Sequence, residues 1–424
     1  MPTPTLTTLL NLITTGLSAT SSFTPFDPGF DISAVASVAE SLPSHSWEFG
    51  TATEALFELR SPLLSVFGPA PFPVQTLEPS TVPALAYAQA KIVLGTGANG
   101  LSDGDGAVGD PASLGVGAVM LGKTNASFAT AAQSEIDYMV DQAPRWVNGA
   151  ISQRADVAEL WCGRLHVHGA PPFIAYFAAD TKNASLLETA YRQCGLYREV
   201  VLFNSDASTF SPVGTSPTNG SWHHIVGPQS ADPGLWSTGN GWAAMGMARV
   251  LATILKAPVA KGTSWRADAI SDLTAWIKEI IDGARGQSVD DGLLRNYLND
   301  ISGDGHGFGE ISGSSMLAAV AYRMVVHAPE AFDAETYVAW ADGIRAVLGG
   351  DDAAGNPHVT EEGIVTPAVN PLGWSDTAPW TAGSPEGNNF VVLLYAAWRD
   401  CIFAGLCKKS TAPQSKRTSR FSLN

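Results

Sequence analysis

Positive charge is scarce in this chain and absent from its beginning. Lysine and arginine number 24 against 40 aspartates and glutamates in 424 residues, and none precedes Arg60. The formal net charge of −16 excludes a nucleic-acid partner, whose phosphates require a basic footprint. An anionic ligand would be repelled by the overall field, so any cation that binds one must be placed locally. No apolar run approaches the roughly 18 residues of a membrane helix, so no membrane partner is expected. Cysteines number only four, and Cys162, Cys194, Cys401 and Cys407 lack the paired spacing of a zinc site. A disulfide between Cys401 and Cys407 and a set of buried free thiols are both open readings. Asp103, Asp105 and Asp110 lie in a Gly/Asp-rich loop without the ligand ladder or terminal glutamate of a calcium hand, so no metal is expected there.

No linker or charge block divides the chain, which reads as one large domain over residues 21–407. Hydrophobic residues make up 45% and charged residues 15%, giving ample core for a chain that folds alone, as a monomer. Residues 1–20 carry Leu6, Leu9, Leu10, Leu12 and Ile13 before Gly16-Leu17-Ser18-Ala19. They are expected to be a secretory signal, although its charged start is missing. Sequons at Asn125, Asn183 and Asn219 agree with secretion. Residues 408–424 turn basic and polar and are expected to be a disordered tail.

Helical periodicity fills the rest. Ile270, Leu273, Ile277, Ile280 and Ile281 mark one stripe, and Phe390, Leu393, Leu394, Ala397, Trp398 and Cys401 another. Further stretches are expected at 32–42, 52–66, 83–95, 113–121, 128–143, 186–201, 312–324 and 337–348. Pro62 should kink or end the second of these. Asp110-Pro111 reads as a cap and first turn, which by itself explains the aspartate. Strand signals are few and short. About a dozen helices with Gly/Pro-rich loops predict an all-α toroid of antiparallel hairpins, inner helices packing on outer ones.

The organising stretch is Gly234 to Trp242, Gly-Leu-Trp-Ser-Thr-Gly-Asn-Gly-Trp. Gly239, Asn240 and Gly241 tolerate positive φ and are expected to form a bend before a helix that starts near Ala243. Trp236 and Trp242 would then sit at the mouth of a packed helix, where an indole can stack on a sugar ring while Asn240 and Thr238 hold its hydroxyls. Each tryptophan could equally be a core anchor.

Trp-x-x-Gly-Asn-Gly-Trp, with Pro171-Pro172-Phe173-Ile174-Ala175-Tyr176, Glu310-Ile311-Ser312-Gly313-Ser314-Ser315-Met316 and Ser384-Pro385-Glu386-Gly387-x-x-Phe390 in this order, resembles the unsaturated rhamnogalacturonyl hydrolases of glycoside hydrolase family 105. The resemblance spans roughly residues 45 to 403 and implies an (α/α)6 barrel, the six-hairpin toroid. It implies substrate contacts for Trp47, Asp110, His224, Trp236, Thr238, Asn240, Trp242, Glu310 and Ser312, with His223 a second choice to His224. Thr238 stands where some family members have arginine, so a carboxylate contact made there must come from elsewhere.

The implied activity removes a 4,5-unsaturated uronic acid from the non-reducing end of lyase-generated, pectin-like oligosaccharides. An acid protonates C4, water adds at C5, and the hemiketal opens to release the next sugar. One carboxyl group suffices, without metal, cofactor or the carboxylate pair of ordinary glycosidases. A sugar-binding pseudoenzyme and a polysaccharide lyase are the alternatives.

The family's catalytic Asp follows a Trp, in a segment like Trp-x-Asp-x-x-Tyr-Met. Here Trp161 is followed by Cys162-Gly163-Arg164-Leu165-His166-Val167-His168-Gly169, with no carboxylate before Pro171. Asp110 is the nearest replacement, with Asp156 and Glu159 weaker stand-ins. These eight residues can be encoded so that the frame one nucleotide later reads Ala-Asp-Ala-Ser-Thr-Tyr-Met. A local frame shift or misplaced exon boundary and true loss of the acid both explain the segment.

Overall fold

The computed structural model describes residues 23–104, 106–162, 169–202, 220–370 and 372–409. Among the described residues twelve helices alternate between two concentric layers. The outer layer is α1 (Ile32–Ser41), α3 (Pro83–Lys91), α5 (Ala126–Asp141), α7 (Ala184–Val201), α9 (Arg266–Arg285) and α11 (Ala334–Leu348). The inner layer is α2 (Ser46–Arg60), α4 (Gly115–Leu121, after a single turn Gly109–Ala112), α6 (Ala170–Thr181), α8 (Ser237–Lys256), α10 (Ile311–His327) and α12 (Pro385–Phe403). Outer helices are amphipathic: α9 buries Ala269, Leu273, Ile277, Ile280 and Ile281 on one stripe. Inner helices are buried all round, α8 without interruption from Ser237 to Ile254 and α10 from Ile311 to Val325. Each inner helix packs on the next outer one, and the inner ring closes between α12 and α2. This is the all-α toroid of antiparallel hairpins that the periodicity predicts, in the (α/α)6 form that the resemblance implies. Because the hairpins are antiparallel, all six inner helices run the same way and start at one end.

Three local expectations are corrected. The second helix begins at Ser46, so Trp47 lies in its first turn, and the Glu48 carboxylate accepts the backbone N–H groups of Ser44 (2.6 Å) and His45 (3.0 Å). It ends at Arg60, as Pro62 requires. Gly239, Asn240 and Gly241 form no bend but lie within α8, at negative φ. Gly241 is small for another reason: a Cβ there would come 2.9 Å from the Cβ of Met316, so the glycine lets α8 and α10 approach closely. Asp110 is not an N-cap but lies inside the short turn, its carboxylate accepting from Gln153.

A tight hairpin forms at Asp291-Gly292. Strands β3 (Val289–Asp290) and β4 (Leu293–Leu294) pair across Asp291 and Gly292, which have φ of 49° and 78°, the left-handed pair a tight hairpin turn requires.

At the end away from the inner N-termini, a buried ionic network ties four inner helices together. Arg249 of α8 donates to Glu54 (2.6 Å) and Glu58 (2.5 Å) of α2. Arg323 of α10 donates to Glu58 (2.6 Å) and to Asp400 of α12 (2.6 Å), which also accepts from Arg399. Arg399 reaches the Glu58 and Leu59 carbonyls as well. Phe67 lies against the Arg249 and Arg323 guanidinium groups, closing this end. Cys401 and Cys407 form a disulfide with a Cα–Cα distance of 5.2 Å, while Cys162 and Cys194 are buried thiols. Among the described residues no helix is long and apolar enough to cross a membrane.

Candidate active site

The loops that enter the inner helices build the site. Strand β1 (Leu160–Trp161) pairs antiparallel with β2 (Ile225–Val226), setting Trp161 opposite Ile225 and beside His224. The chain then turns back so that Ile225 bridges Asp232, and Trp236, just before α8, bridges Tyr297. These pairings bring together residues far apart in sequence. The His224 ring lies 4.5 Å from Trp236, 5.3 Å from Trp374 and 6.3 Å from Trp161, centre to centre. Its Nδ1 is 2.9 Å from Asp232 Oδ2, which also accepts the Tyr297 hydroxyl at 2.7 Å. Asp232 Oδ1 accepts the Gly234 N–H at 2.8 Å. Burial alone would raise the Asp232 pKa, but the hydrogen bonds and charge of His224, with Tyr297 and Gly234, outweigh it and hold the group at about 2. Asp232, Tyr297 and Trp374 escaped sequence reasoning, because a short bridge and two loops, none with a periodic signal, assemble them.

Trp161 is oriented by Glu159, whose Oε1 accepts the indole N–H at 2.7 Å. Glu159 Oε2 accepts the N–H groups of Gln229 and Ser230. Burial opposes ionisation of Glu159, yet these hydrogen bonds prevail and lower its pKa. A carboxylate so committed is a support for the aromatic wall, not a proton donor. Asp156 is exposed and forks with Arg154.

Across the mouth, Trp47 donates its indole N–H to Glu386 at 3.0 Å, joining the starts of α2 and α12. Gln153 donates to Asp110 at 2.9 Å. Asp110 is 3% exposed and lies in the turn before α4. Between α8 and α10, Glu310 caps α10 by accepting the Ser312 and Gly313 N–H groups and takes the Ser237 and Thr238 hydroxyls as well. Burial is the largest influence on Glu310 and raises its pKa. Thr238, Glu310 and Ser312 therefore form one polar cluster within the wall.

Asn240 binds backbone: its Oδ1 accepts Trp222 N–H, and its Nδ2 donates to the Trp222 and Trp236 carbonyls. Trp236 is pinned by an indole hydrogen bond to Asn296 at 2.8 Å. Trp242 is 2% exposed and meets Phe390 edge-on at 4.7 Å. Trp242→Ala is therefore expected to lower unfolding free energy by ~3–5 kcal/mol, as large-to-small changes in cores do. Trp161→Ala should instead weaken oligosaccharide binding by ~1–3 kcal/mol. Urea unfolding and calorimetry on both variants check this, and the reverse pattern would make Trp242 the platform. His223 turns its Nδ1 to the Pro233 carbonyl, 2.6 Å away. Gly163 to His168, where the family's acid is missing, lie outside the described residues. So do Asp105, Asn219 and residues 1–22 and 410–424.

Residues 121–328 match the model of Glycosyl Hydrolase Family 88. Over this stretch, just under half of its length, the chain is similar to that family. Its fold is that of a possible member of glycoside hydrolase family 105 from Salmonella enterica serovar Paratyphi A, with a TM-score of 0.60, 13% identity and coverage of 94% of this chain and 95% of that one. A family 105 glycoside hydrolase from C. acetobutylicum gives 0.60 and 14% over 87% and 99%. The unsaturated glucuronyl hydrolase of Bacillus sp. GL1, responsible for degradation of glycosaminoglycan, gives 0.55 and 13% over 86% and 94%. No curated protein matches the chain significantly. The matched stretch holds Glu159, Trp161, His224, Asp232, Trp236 and Glu310. Trp47, Asp110, Trp374 and Glu386 complete the mouth from outside it.

Proposed function

We propose that the chain acts on a 4,5-unsaturated uronic acid at the non-reducing end of a short, pectin-like oligosaccharide and releases it by hydrating the double bond. The observation that carries this reading is the grouping of Trp161, Trp236 and Trp374 around an Asp232-bound imidazole at the end where all inner helices start. Indole faces suit a sugar ring, and an imidazole suits its carboxylate. Asp110 is the described carboxyl group we assign to proton transfer. The Cys401–Cys407 disulfide and the capping Asn125 and Asn183 side chains on exposed helix starts support secretion as part of the proposal.

Incubation with lyase-generated unsaturated digalacturonate should erase the ultraviolet absorbance of the enol ether. Persistent absorbance with pectin-, glucuronan- and hyaluronan-type disaccharides alike would sink the hydrolase. Absorbance created from intact polymer would make it a lyase. A second reading, a sugar-binding pseudoenzyme, is favoured by one observation, the lack of any carboxylate between Trp161 and Pro171. It is distinguished by calorimetric binding without turnover.

A further inference from the structure

We infer that Asn125 and Asn183 are N-glycosylation sites, and that their two glycans stand on neighbouring turns at the end of the toroid opposite the mouth. The inference rests on the secretion part of the proposal above, because only a chain that enters a secretory compartment meets a glycosyl donor. That part has support besides the sequons in the Cys401–Cys407 disulfide.

Both asparagines belong to Asn-Ala-Ser sequons, and the folded chain uses them alike. Asn125 is the N-cap of α5, its Oδ1 accepting the Ser127 N–H at 3.0 Å. Asn183 is the N-cap of α7, its Oδ1 accepting the Leu186 N–H at 3.0 Å. A cap uses the carbonyl oxygen of the side chain, whereas a glycan is attached through the nitrogen. Among the described residues no hydrogen bond uses either Nδ2. Asn125, Ser127, Asn183 and Ser185 are all exposed, as a bulky surface modification requires. Glycosylation therefore keeps both caps and displaces no side chain. The reaction is a group transfer from a lipid-diphosphate-linked oligosaccharide. The bond from its anomeric carbon to the diphosphate oxygen breaks as the C–Nδ2 bond forms, the diphosphate leaves with the electron pair, and one Nδ2 proton passes to solvent.

The fold sets where the glycans stand. Each asparagine begins an outer helix just after an inner one ends, at Leu121 and at Thr181. Inner helices start at the mouth, so both turns lie at the far end, with the Arg249, Glu58 and Arg323 network. The Asn125 N–H donates to the Leu121 carbonyl at 3.0 Å and the Asn183 N–H to the Ala178 carbonyl at 2.9 Å, fixing both attachment points. Lys123 of the first turn pairs with Asp180, beside the second, so the turns adjoin. Two glycans placed there cover one patch of the far end and leave the mouth clear.

The test expresses the full chain in a eukaryotic secretory host, once with its own residues 1–20 and once with a host leader in their place. Peptide N-glycosidase in heavy-oxygen water converts each occupied asparagine to a labelled aspartate, read by mass spectrometry on the total cellular and secreted protein. Both asparagines should be labelled. Ser127→Ala and Ser185→Ala should each lower the intact mass by one glycan, and the double variant by two. The double variant keeps both caps, so the glycosylated chain should unfold in urea at the same midpoint or a higher one. A lower midpoint means that the sugar breaks a cap and overturns the geometry. Either asparagine unlabelled in the chain with the host leader overturns the inference. Label behind the host leader alone removes the secretion reading and leaves the two sites standing.

Discussion

Replacing Cys162 to His168 by Ala-Asp-Ala-Ser-Thr-Tyr-Met is expected to raise kcat on unsaturated digalacturonate by about 10²–10⁴-fold, the usual contribution of a positioned general acid. The expectation combines the resemblance, which places an acid two residues after the tryptophan, with the anchoring of both flanks. Trp161 is clamped by Glu159. Gly169 abuts the turn that carries Asp110, since a Cβ on it would come 2.4 Å from the Gly109 carbonyl oxygen. An aspartate introduced after Trp161 thus belongs to a segment tied at one end to the aromatic wall and at the other to Asp110. The same replacement with Asn in place of its Asp should remain at the original rate, and Asp110→Asn in the replaced chain measures what Asp110 adds. Single-turnover kinetics checks all three. If the unaltered chain already turns over at 1–10³ s⁻¹, the ordinary range of enzymes, the acid was never lost and Asp110 carries it. Sequencing the transcript across this segment decides independently whether the frame is shifted.

Glu58→Ala is expected to cost ~3–5 kcal/mol of stability, the range for breaking a buried ion pair by removing one partner. Glu58 is fully buried, and both its oxygens accept from guanidinium groups, Arg249 at 2.5 Å and Arg323 at 2.6 Å. Its loss would leave two buried cations with only Glu54 and Asp400 between them. Equilibrium urea unfolding followed by tryptophan fluorescence measures the change. A loss below ~1 kcal/mol, typical of exposed pairs, would show that water reaches this end of the toroid. The network is a device of closure: it joins α2 to α8, α10 and α12, so one residue touches most of the inner ring.

That network was invisible in the sequence, and the reason is general. Glu54 and Glu58 lie on α2, Arg249 on α8, Arg323 on α10 and Asp400 on α12, and nothing local says that they meet. The helices themselves were legible, because α9 and α12 repeat their apolar residues at the period of a helix whatever their neighbours do. The bend at Gly239 to Gly241 was misread. Glycine serves equally for positive φ and for close approach, and only the position of Met316 on another helix chooses between them.

The candidate site divides along the same line. The sequence by itself determined the alternation of helices, the absence of a basic surface, the aromatic stretch leading into α8, and the missing carboxylate after Trp161. Each is a property of residues near one another in the chain. Only the tertiary structure decided that Trp161, His224, Asp232, Tyr297 and Trp374 share one mouth, that Asn240 holds backbone, and that Trp242 packs on Phe390. Those contacts join loops from four hairpins of a closed ring, and the direction in which a side chain points there is set by strand bridges and helix packing across hundreds of residues, to which local periodicity carries no information.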